Sequence, residues 1–266
     1  SDSILKGGFK KGQLVIIGAR PSMGKTQFVL ETCKKIAEGD GCAVLFELEM
    51  SAFDLCVRLL VEEEAIDDYS VETGQFNNDE LLLIQRKLTS IGKLNFFVDD
   101  MEYSLSGIIS KCKKMKREHP NLELICIDYL QLIESNLKFQ TRDLEIGYMT
   151  RKLKQLCKEI QTPVVLLAQL NRDVQNEPKL ENLRESGNIE QDADVVILID
   201  RPYKRGVEVD SLTNESWEQA GQFIVAKNRN GQIGKVKFSH DKRFKRIYSY
   251  ESKSGNERVL SWDTPF

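Results

Sequence analysis

The residues best suited to chemistry lie between positions 13 and 26, where an apolar stretch leads into a short loop ending in Gly24-Lys25-Thr26. Successive backbone N–H groups and a helix N-terminus can surround phosphate groups, a lysine adds positive charge, and a threonine hydroxyl can reach Mg²⁺. The helix dipole disfavours a lysine in the first turn of a helix, so Lys25 indicates a bound anion. The run therefore predicts a site for a nucleoside triphosphate and Mg²⁺.

This loop departs from the common G-x-x-x-x-G-K-[ST] pattern at its first position. Counting back from Gly24 places Ala19 there, and the nearest glycine, Gly18, comes one residue early. Alanine is compatible with a phosphate loop provided that position 19 does not need a positive φ. We expect the nucleotide to lie against the loop and the start of its helix: Ala19, Arg20, Pro21, Ser22, Met23, Gly24, Lys25, Thr26 and Gln27.

Acidic side chains follow two other apolar runs. Asp128 ends the run 124–128, and a carboxylate at the carboxyl end of a buried strand would lie where α/β sheets bind ligands and could hold Mg²⁺. Glu47 and Glu49 flank Leu48; because alternate residues of a strand share a face, both carboxylates could point to the same site. One of them could polarise the water that attacks a γ-phosphate, or both could be solvated acids at a strand end.

Further polar residues follow later apolar runs. Gln169 comes directly after a wholly apolar run, where an amide could contact a γ-phosphate or orient water. Arg184, in the segment 183–187, suits a contact with a nucleic-acid backbone phosphate, although a solvated loop explains the local sequence more simply. Lys227 and Arg229 could act on a neighbouring subunit's nucleotide as an arginine finger does, or they could belong to an ordinary basic hairpin.

Strand-like and helix-like segments alternate along the chain, which is typical of a mostly parallel sheet flanked by helices. Apolar runs predict strands at 14–18, 43–48, 94–98, 122–127, 164–168 and 195–199, then antiparallel strands at 223–227, 235–238 and 246–250. Helical periodicity, with a capping box at 51–54, predicts helices at 25–37, 51–65, 79–91, 105–117 and 142–160. The polar stretches 136–142 and 171–187 predict long loops. We expect one α/β domain over residues 1–266.

The composition limits the classes of protein that this chain can represent. Its 266 residues, 41% hydrophobic and 30% charged, fit a soluble globular protein, without an export signal or the roughly 20 apolar residues of a membrane span. The net charge of −3 argues against a protein that coats nucleic acid by charge alone, so such a contact must be local or shared among subunits. Six cysteines without a C-x-x-C pair predict free thiols in a reducing compartment.

The candidate residues fall within longer segments of distinctive sequence. These are Ala-Arg-Pro-Ser-Met-Gly-Lys-Thr (19–26), Phe-Glu-Leu-Glu-Met-Ser (46–51), Ile-Asp-Tyr-Leu-Gln-Leu-Ile (127–133), Ala-Gln-Leu-Asn-Arg (168–172), Leu-Arg-Glu-Ser-Gly-Asn-Ile-Glu-Gln-Asp-Ala-Asp (183–194) and Ala-Lys-Asn-Arg-Asn-Gly (226–231). In this order they resemble the DnaB-type replicative DNA helicases, specifically the RecA-like C-terminal motor domain. A phosphate loop alone indicates only a nucleoside triphosphatase, whereas the combination is far more specific. Alanine at the first loop position is familiar in this family.

The resemblance implies roles for the residues of the nucleotide site. Lys25 and Thr26 would bind phosphates and Mg²⁺, and Asp128 would be the Walker-B acid that holds the Mg²⁺ shell. The family's catalytic carboxylate matches Glu49. Glu47 falls where the family commonly has a small polar residue.

Other roles implied by the resemblance lie farther along the chain. Gln169 would sense the γ-phosphate, and Arg58 matches a position near the nucleotide. Arg229, with Lys227, would reach into the site of the next subunit. The loop that follows single-stranded DNA through a ring centre matches Arg184, Glu185 and Gly187.

The resemblance also implies an activity and partners. A homo-hexameric ring would hydrolyse ATP with Mg²⁺ between neighbouring subunits, move 5′→3′ on single-stranded DNA and unwind the duplex at a replication fork. Primase and a helicase loader would bind through the full-length protein, in the cytoplasm of a bacterial or phage-infected cell. Full-length members also carry an N-terminal helical domain and linker, which we expect to be absent from this chain.

Two other functions stay open at this point. A RecA-like recombinase would form an open filament and exchange strands; the segment 183–187 and the turn at 227–229 favour the helicase instead. A scaffold or loading factor would bind ATP without hydrolysing it. Glu49 and Gln169 argue against that function, because both are suited to activating water.

Overall fold

A nine-stranded sheet forms the centre of the computed structural model, which describes residues 8–61, 66, 68–171, 176–183 and 186–250, without the side chains of 68, 72, 186 and 188. Its strands are β1 (Leu14–Ala19), β2 (Cys42–Glu47), β3 (Phe96–Asp99), β4 (Leu122–Asp128), β5 (Val164–Gln169), β6 (Val195–Asp200), β7 (Ala220–Asn228), β8 (Gly234–His240) and β9 (Ile247–Ser249). They lie in the order β3-β2-β4-β5-β1-β6-β7-β8-β9.

The first six strands pair in parallel, and the last three add antiparallel strands at one side. The carboxyl ends of the parallel strands therefore meet at one edge of the sheet, here called the carboxyl edge. Because β7 runs the other way, its end lies beside the start of β6, with Lys227 opposite Val196. This arrangement confirms the predicted fold class. It also places the carboxyl ends of β1 and β7 at opposite edges of the sheet.

The helices cover both faces of the sheet. They are α1 (Lys25–Glu38), α2 (Ala52–Leu60), α3 (Asp68–Thr73), α4 (Asn78–Ile91), α5 (Leu105–Glu118), α6 (Arg142–Ile160) and α7 (Ser186–Asp192), with short 3-10 turns at Leu130–Leu132, Leu180–Asn182 and Pro202–Arg205. The predicted capping box is confirmed, since Ser51 Oγ accepts a hydrogen bond from the Asp54 N–H and Asp54 accepts one from the Ser51 N–H. None of the described helices is both long and apolar enough to cross a bilayer.

Two apolar cores lie on opposite faces of the sheet, because alternate strand residues point to opposite sides. Leu14 and Ile16 of β1 pack with α5, α6 and α7 on one face. Val15 and Ile17 pack with α1 and α2 on the other. The six cysteines are free thiols, as predicted, and Cys56 alone among them is partly exposed.

Several boundaries differ from the sequence prediction. The second helix ends at Leu60 instead of about 65, and positions 62–65 lie outside the described residues. Helix α3 was not predicted at all. The stretch 171–187 was predicted as a loop, but α7 begins within it at Ser186. Ile189 and Ala193, one helical turn apart, are buried in the core beside α6, so packing stabilises a segment too polar to show helical periodicity.

Candidate active site

The phosphate loop joins β1 to α1 at the carboxyl edge. Its backbone has positive φ at Ser22 (61°) and at Gly24 (98°), but not at Ala19, which is the last residue of β1. Ala19 therefore needs no glycine conformation, and the departure from the common pattern does not distort the loop. Gly24 is different, because a Cβ there would lie 1.9 Å from the ring of Phe244.

Lys25, Thr26 and Asp128 meet behind this loop. The Thr26 hydroxyl donates to Asp128 Oδ2 over 2.7 Å, which joins the first turn of α1 to the end of β4. Burial lowers the pKa of Lys25, and the nearby carboxylates of Asp128, Glu49 and Glu47 oppose that effect. Burial also raises the pKa of Asp128, against the opposing effects of Lys25 and the Thr26 hydrogen bond.

The surroundings of Asp128 fit a bound Mg²⁺ shared with phosphate groups. Asp128 Oδ1 is buried and has no hydrogen-bond partner, and an uncompensated buried carboxylate oxygen is costly. In the described part of the chain, no group of three or more His, Cys, Asp or Glu side chains could hold a metal by itself. Mg²⁺ typically takes one or two protein oxygens and completes its shell with substrate phosphates and water, so Thr26 and Asp128 are the residues that would hold it.

The two glutamates after β2 have different surroundings. Glu47 is fully buried, and its Oε1 accepts hydrogen bonds from the N–H groups of Glu49 and Met50, each over 3.1 Å. Burial, followed by the neighbouring Asp128, raises the pKa of Glu47 to about 8. Glu49 is exposed and lines the cavity in front of the loop. Because β2 ends at Glu47, strand alternation does not extend to Glu49, and only Glu49 presents its carboxylate to the cavity.

A cavity of about 530 Å³ lies in front of the phosphate loop. It brings together many of the predicted residues: Arg20, Pro21, Ser22, Met23, Gly24, Lys25, Thr26, Gln27, Glu49, Arg58 and Gln169. Gln169 ends β5, the neighbour of β1, and stands directly across from Ala19 in the strand register. The strand-end positions predicted from separate parts of the sequence thus converge on one cavity.

Six residues that line this cavity were not predicted as site residues from the sequence: Met50, Val61, Arg201, Arg243, Phe244 and Lys245. Arg201 directly follows β6, so the strand-end rule that selected Gln169 would also have selected it. Its guanidinium carbon lies 3.9 Å from the centre of the Phe244 ring, and it donates to Nε2 of His240 over 3.2 Å. Arg201 Nε is buried without a hydrogen-bond partner.

The turn between β8 and β9 holds these residues beside the phosphate loop, through a hydrogen bond with the first turn of α1. Asp241 Oδ1 accepts the N–H groups of Lys245 and Arg246, each over 2.6 Å. The Lys245 carbonyl accepts a hydrogen bond of 2.6 Å from Gln27 Nε2. The four cations among residues 242–246 were the available sequence signal for this turn.

Lys227 and Arg229 lie at the opposite edge of the sheet, at the start of β6. Lys227 donates to the carbonyl of Glu190, and the Arg229 guanidinium donates to that of Gln191. The six residues of β6 span about 17 Å. These two cations therefore do not contribute to the cavity of their own chain.

The residues predicted to contact DNA are only partly visible. Arg184 and Glu185 lie outside the described residues. Gly187 is exposed in the first turn of α7 instead of in a loop. The DNA contact of this segment stays a prediction.

A family model for the DnaB-like helicase C-terminal domain matches residues 2–249 of this chain. The chain belongs to the DnaB-like helicase C-terminal domain family. This match confirms the family that the phosphate loop and the later segments indicated.

Curated relatives agree with this family. The probable replicative DNA helicase of Trieres chinensis is 39% identical over 94% of this chain and 55% of that protein. The replicative DNA helicase DnaB of Buchnera aphidicola subsp. Acyrthosiphon pisum is 35% identical over 91% and 53%, respectively. The chain thus spans about half the length of these relatives.

Solved structures confirm the RecA-like fold. An ATPase domain of known structure superposes with a TM-score of 0.81 at 31% identity, covering 90% of this chain and 85% of that one. A DnaB-like replicative helicase, studied for its interactions with primase, gives the same TM-score and identity and covers 90% of this chain and 58% of that one.

Proposed function

We propose that this DnaB-like chain is a single RecA-like motor domain, spanning residues 1–266, of a replicative DNA helicase that hydrolyses ATP. One observation carries the proposal: Lys25, Thr26 and Asp128 meet at the carboxyl edge, beside a cavity into which Glu49 and Gln169 also open. Binding ATP alone would not require an exposed carboxylate and an amide at the far side of the phosphates. The arrangement therefore favours hydrolysis over a non-hydrolysing scaffold.

Each residue would act by position and charge, as phosphoryl transfer requires. Backbone N–H groups of the loop and the side chain of Lys25 would bind the phosphates. Lys25 is buried, which restricts the movement of its side chain. Thr26 and Asp128 would hold Mg²⁺, which would neutralise charge on the phosphates. Glu49 would orient and deprotonate the attacking water, and Gln169 would contact the γ-phosphate.

Cations of the same chain would complete the substrate contacts. Arg201, which follows β6, and the turn carrying Arg243 and Lys245 line the cavity on the side away from β2, and Arg58 lines it from α2. We assign them to binding of ATP. The orphan Nε of Arg201 supports this assignment, because a buried guanidinium N–H without a partner is costly unless a ligand satisfies it.

The ring and its DNA are further parts of the proposal. Lys227 and Arg229 lie far from their own cavity, which supports a role in the site of a neighbouring subunit in a homo-hexamer. Arg184, Glu185 and Gly187 would follow single-stranded DNA, and six copies of Arg184 would place a ring of positive charges along its path despite the net charge of −3. Movement would be 5′→3′, in the cytoplasm of a bacterial or phage-infected cell. The interactions of one structural neighbour with primase support primase as a partner here. A helicase loader is proposed from the family resemblance alone.

An ATPase assay on the full-length protein, with and without single-stranded DNA, tests this function. We expect DNA to stimulate turnover and Lys25→Ala to reduce it by about 100-fold or more, since Lys25 neutralises charge on the phosphates. A mass measurement should show six subunits. Turnover that survives Lys25→Ala would contradict the assignment of the phosphate loop, and ATP binding without turnover in the wild type would favour the scaffold.

A further inference from the structure

We infer that Glu47 is a positioning residue for Glu49: its side-chain oxygen fixes the turn that presents the Glu49 carboxylate to the nucleotide cavity. Glu47 itself does not line the cavity. The inference rests on the proposed hydrolysis, and it assigns a task to a residue that the phosphate-loop chemistry leaves unused.

The contacts of Glu47 connect the end of the sheet to the turn. Leu48 N–H still follows the strand pattern and donates to the Asp128 carbonyl over 2.7 Å. The next two N–H groups, of Glu49 and Met50, have passed the end of β2 and donate instead to Glu47 Oε1. A side chain thus replaces the missing sheet partner for the two residues at the centre of the turn.

The far side of the turn is held as well. Ser51 caps α2, and the Ala52 N–H donates to Asp100 Oδ2 over 2.7 Å. The segment that carries Glu49 is therefore fixed by Glu47 at its start and by the helix cap at its end. Between these two points, the exposed Glu49 side chain is directed by the backbone orientation that Glu47 sets.

The buried carboxyl group of Glu47 has one oxygen with hydrogen-bond partners and one without. The side chain is fully buried, and Oε2 has no hydrogen-bond partner, an arrangement that costs free energy. An apolar side chain would remove that cost but would also remove the acceptor for two N–H groups. The acceptor oxygen, and not the charge of the group, is what the turn requires.

Two substitutions of similar length separate these properties. Glu47→Gln keeps an acceptor oxygen, whereas Glu47→Met fills the space without one. We expect Glu47→Met to lower kcat for ATP about 10- to 100-fold, because a small displacement of a catalytic group has such effects, while the Kd of a non-hydrolysable ATP analogue stays unchanged. Glu47→Gln should restore most of the lost turnover. Thermal unfolding should show Glu47→Met fully folded at the temperature of the assay, which excludes a general folding defect.

A double-mutant cycle with Glu49→Gln tests whether Glu47 acts through Glu49. When Glu49 is already disabled, Glu47→Met should cost little further turnover, since residues acting as a unit are non-additive. Full additivity, or equal loss in Glu47→Gln and Glu47→Met, would overturn the inference. Absence of turnover in the wild type would instead overturn the proposed hydrolysis, so the two failures are distinguishable.

Discussion

The two edges of the sheet present cations in opposite surroundings. At the carboxyl edge, Lys25 is 8% exposed and lies among Asp128, Glu49 and Glu47. At the other edge, the Arg229 side chain is 46% exposed, and its ion pair with Asp194 is a loose 3.6 Å. One cation belongs to a site that the chain builds around itself, and the other is half-exposed in the turn after β7, in contact with Gln191 and Asp194.

The difference indicates how the proposed work is divided between subunits. The phosphate loop, Asp128 and Glu49 come from parallel strands whose carboxyl ends meet, so one chain suffices to assemble them. Arg229 comes from β7, which runs in the opposite direction and ends at the other edge. In the proposed ring, a single subunit would therefore carry two complementary halves that meet only between neighbours.

The largest expected effect concerns Arg229. Arg229→Ala should bind ATP normally but hydrolyse it about 10³- to 10⁵-fold more slowly in the assembled ring, as loss of an arginine finger does. Mixing it with Glu49→Gln subunits should restore part of the turnover, because some interfaces then pair an intact Glu49 with an intact Arg229. A mixture as inactive as its two components would show that Arg229 does not act on a neighbour.

A smaller effect distinguishes two positions within the carboxyl edge. Gly24→Ala forces alanine into a left-handed backbone, at about 1–2 kcal/mol, and also drives its Cβ against Phe244. We expect nucleotide affinity to fall about tenfold or more. Ala19→Gly is the matched control: since Ala19 is an extended strand residue, nucleotide affinity should hardly change. Calorimetric titration of both variants measures the contrast, and equal losses would refute it.

The smallest effect is a pH dependence of stability. Folding raises the pKa of Glu47 from 4.5 to about 8, so between these values the folded protein keeps a proton that the unfolded chain has released. Stability should therefore fall as pH rises through this window, by at most about 1.4 kcal/mol per pH unit. Glu47→Gln has no ionisable group at this position, so its stability should not show this pH dependence.

Unfolding of both proteins without nucleotide or Mg²⁺, between about pH 6 and pH 8, provides the measurement. The stability of Glu47→Gln relative to the wild type should increase across that range. A constant difference would mean that Glu47 is already ionised in the folded protein.

Local patterns were enough to predict much of this architecture. Apolar runs located the central strands, and the Ser51–Asp54 box located the start of α2, because these signals depend on neighbouring residues only. Strand-end polar residues such as Asp128 and Gln169 were predictable as well, since the carboxyl ends of parallel strands share one edge. Helix α7 was not predicted because its stability comes from packing against α6, and so short a segment shows no periodic pattern.

The sequence by itself determined the family, the phosphate loop and most of the residues able to do its chemistry, although not Arg201, Arg243 or Lys245. Only the tertiary structure decided which of them share a cavity. Glu47 and Glu49 are two residues apart, yet the end of β2 buries one and exposes the other. Phe244 is 220 positions from Gly24 in the sequence but covers it in space. Such outcomes depend on where strands end and which direction they run, and these are properties of the packed sheet as a whole.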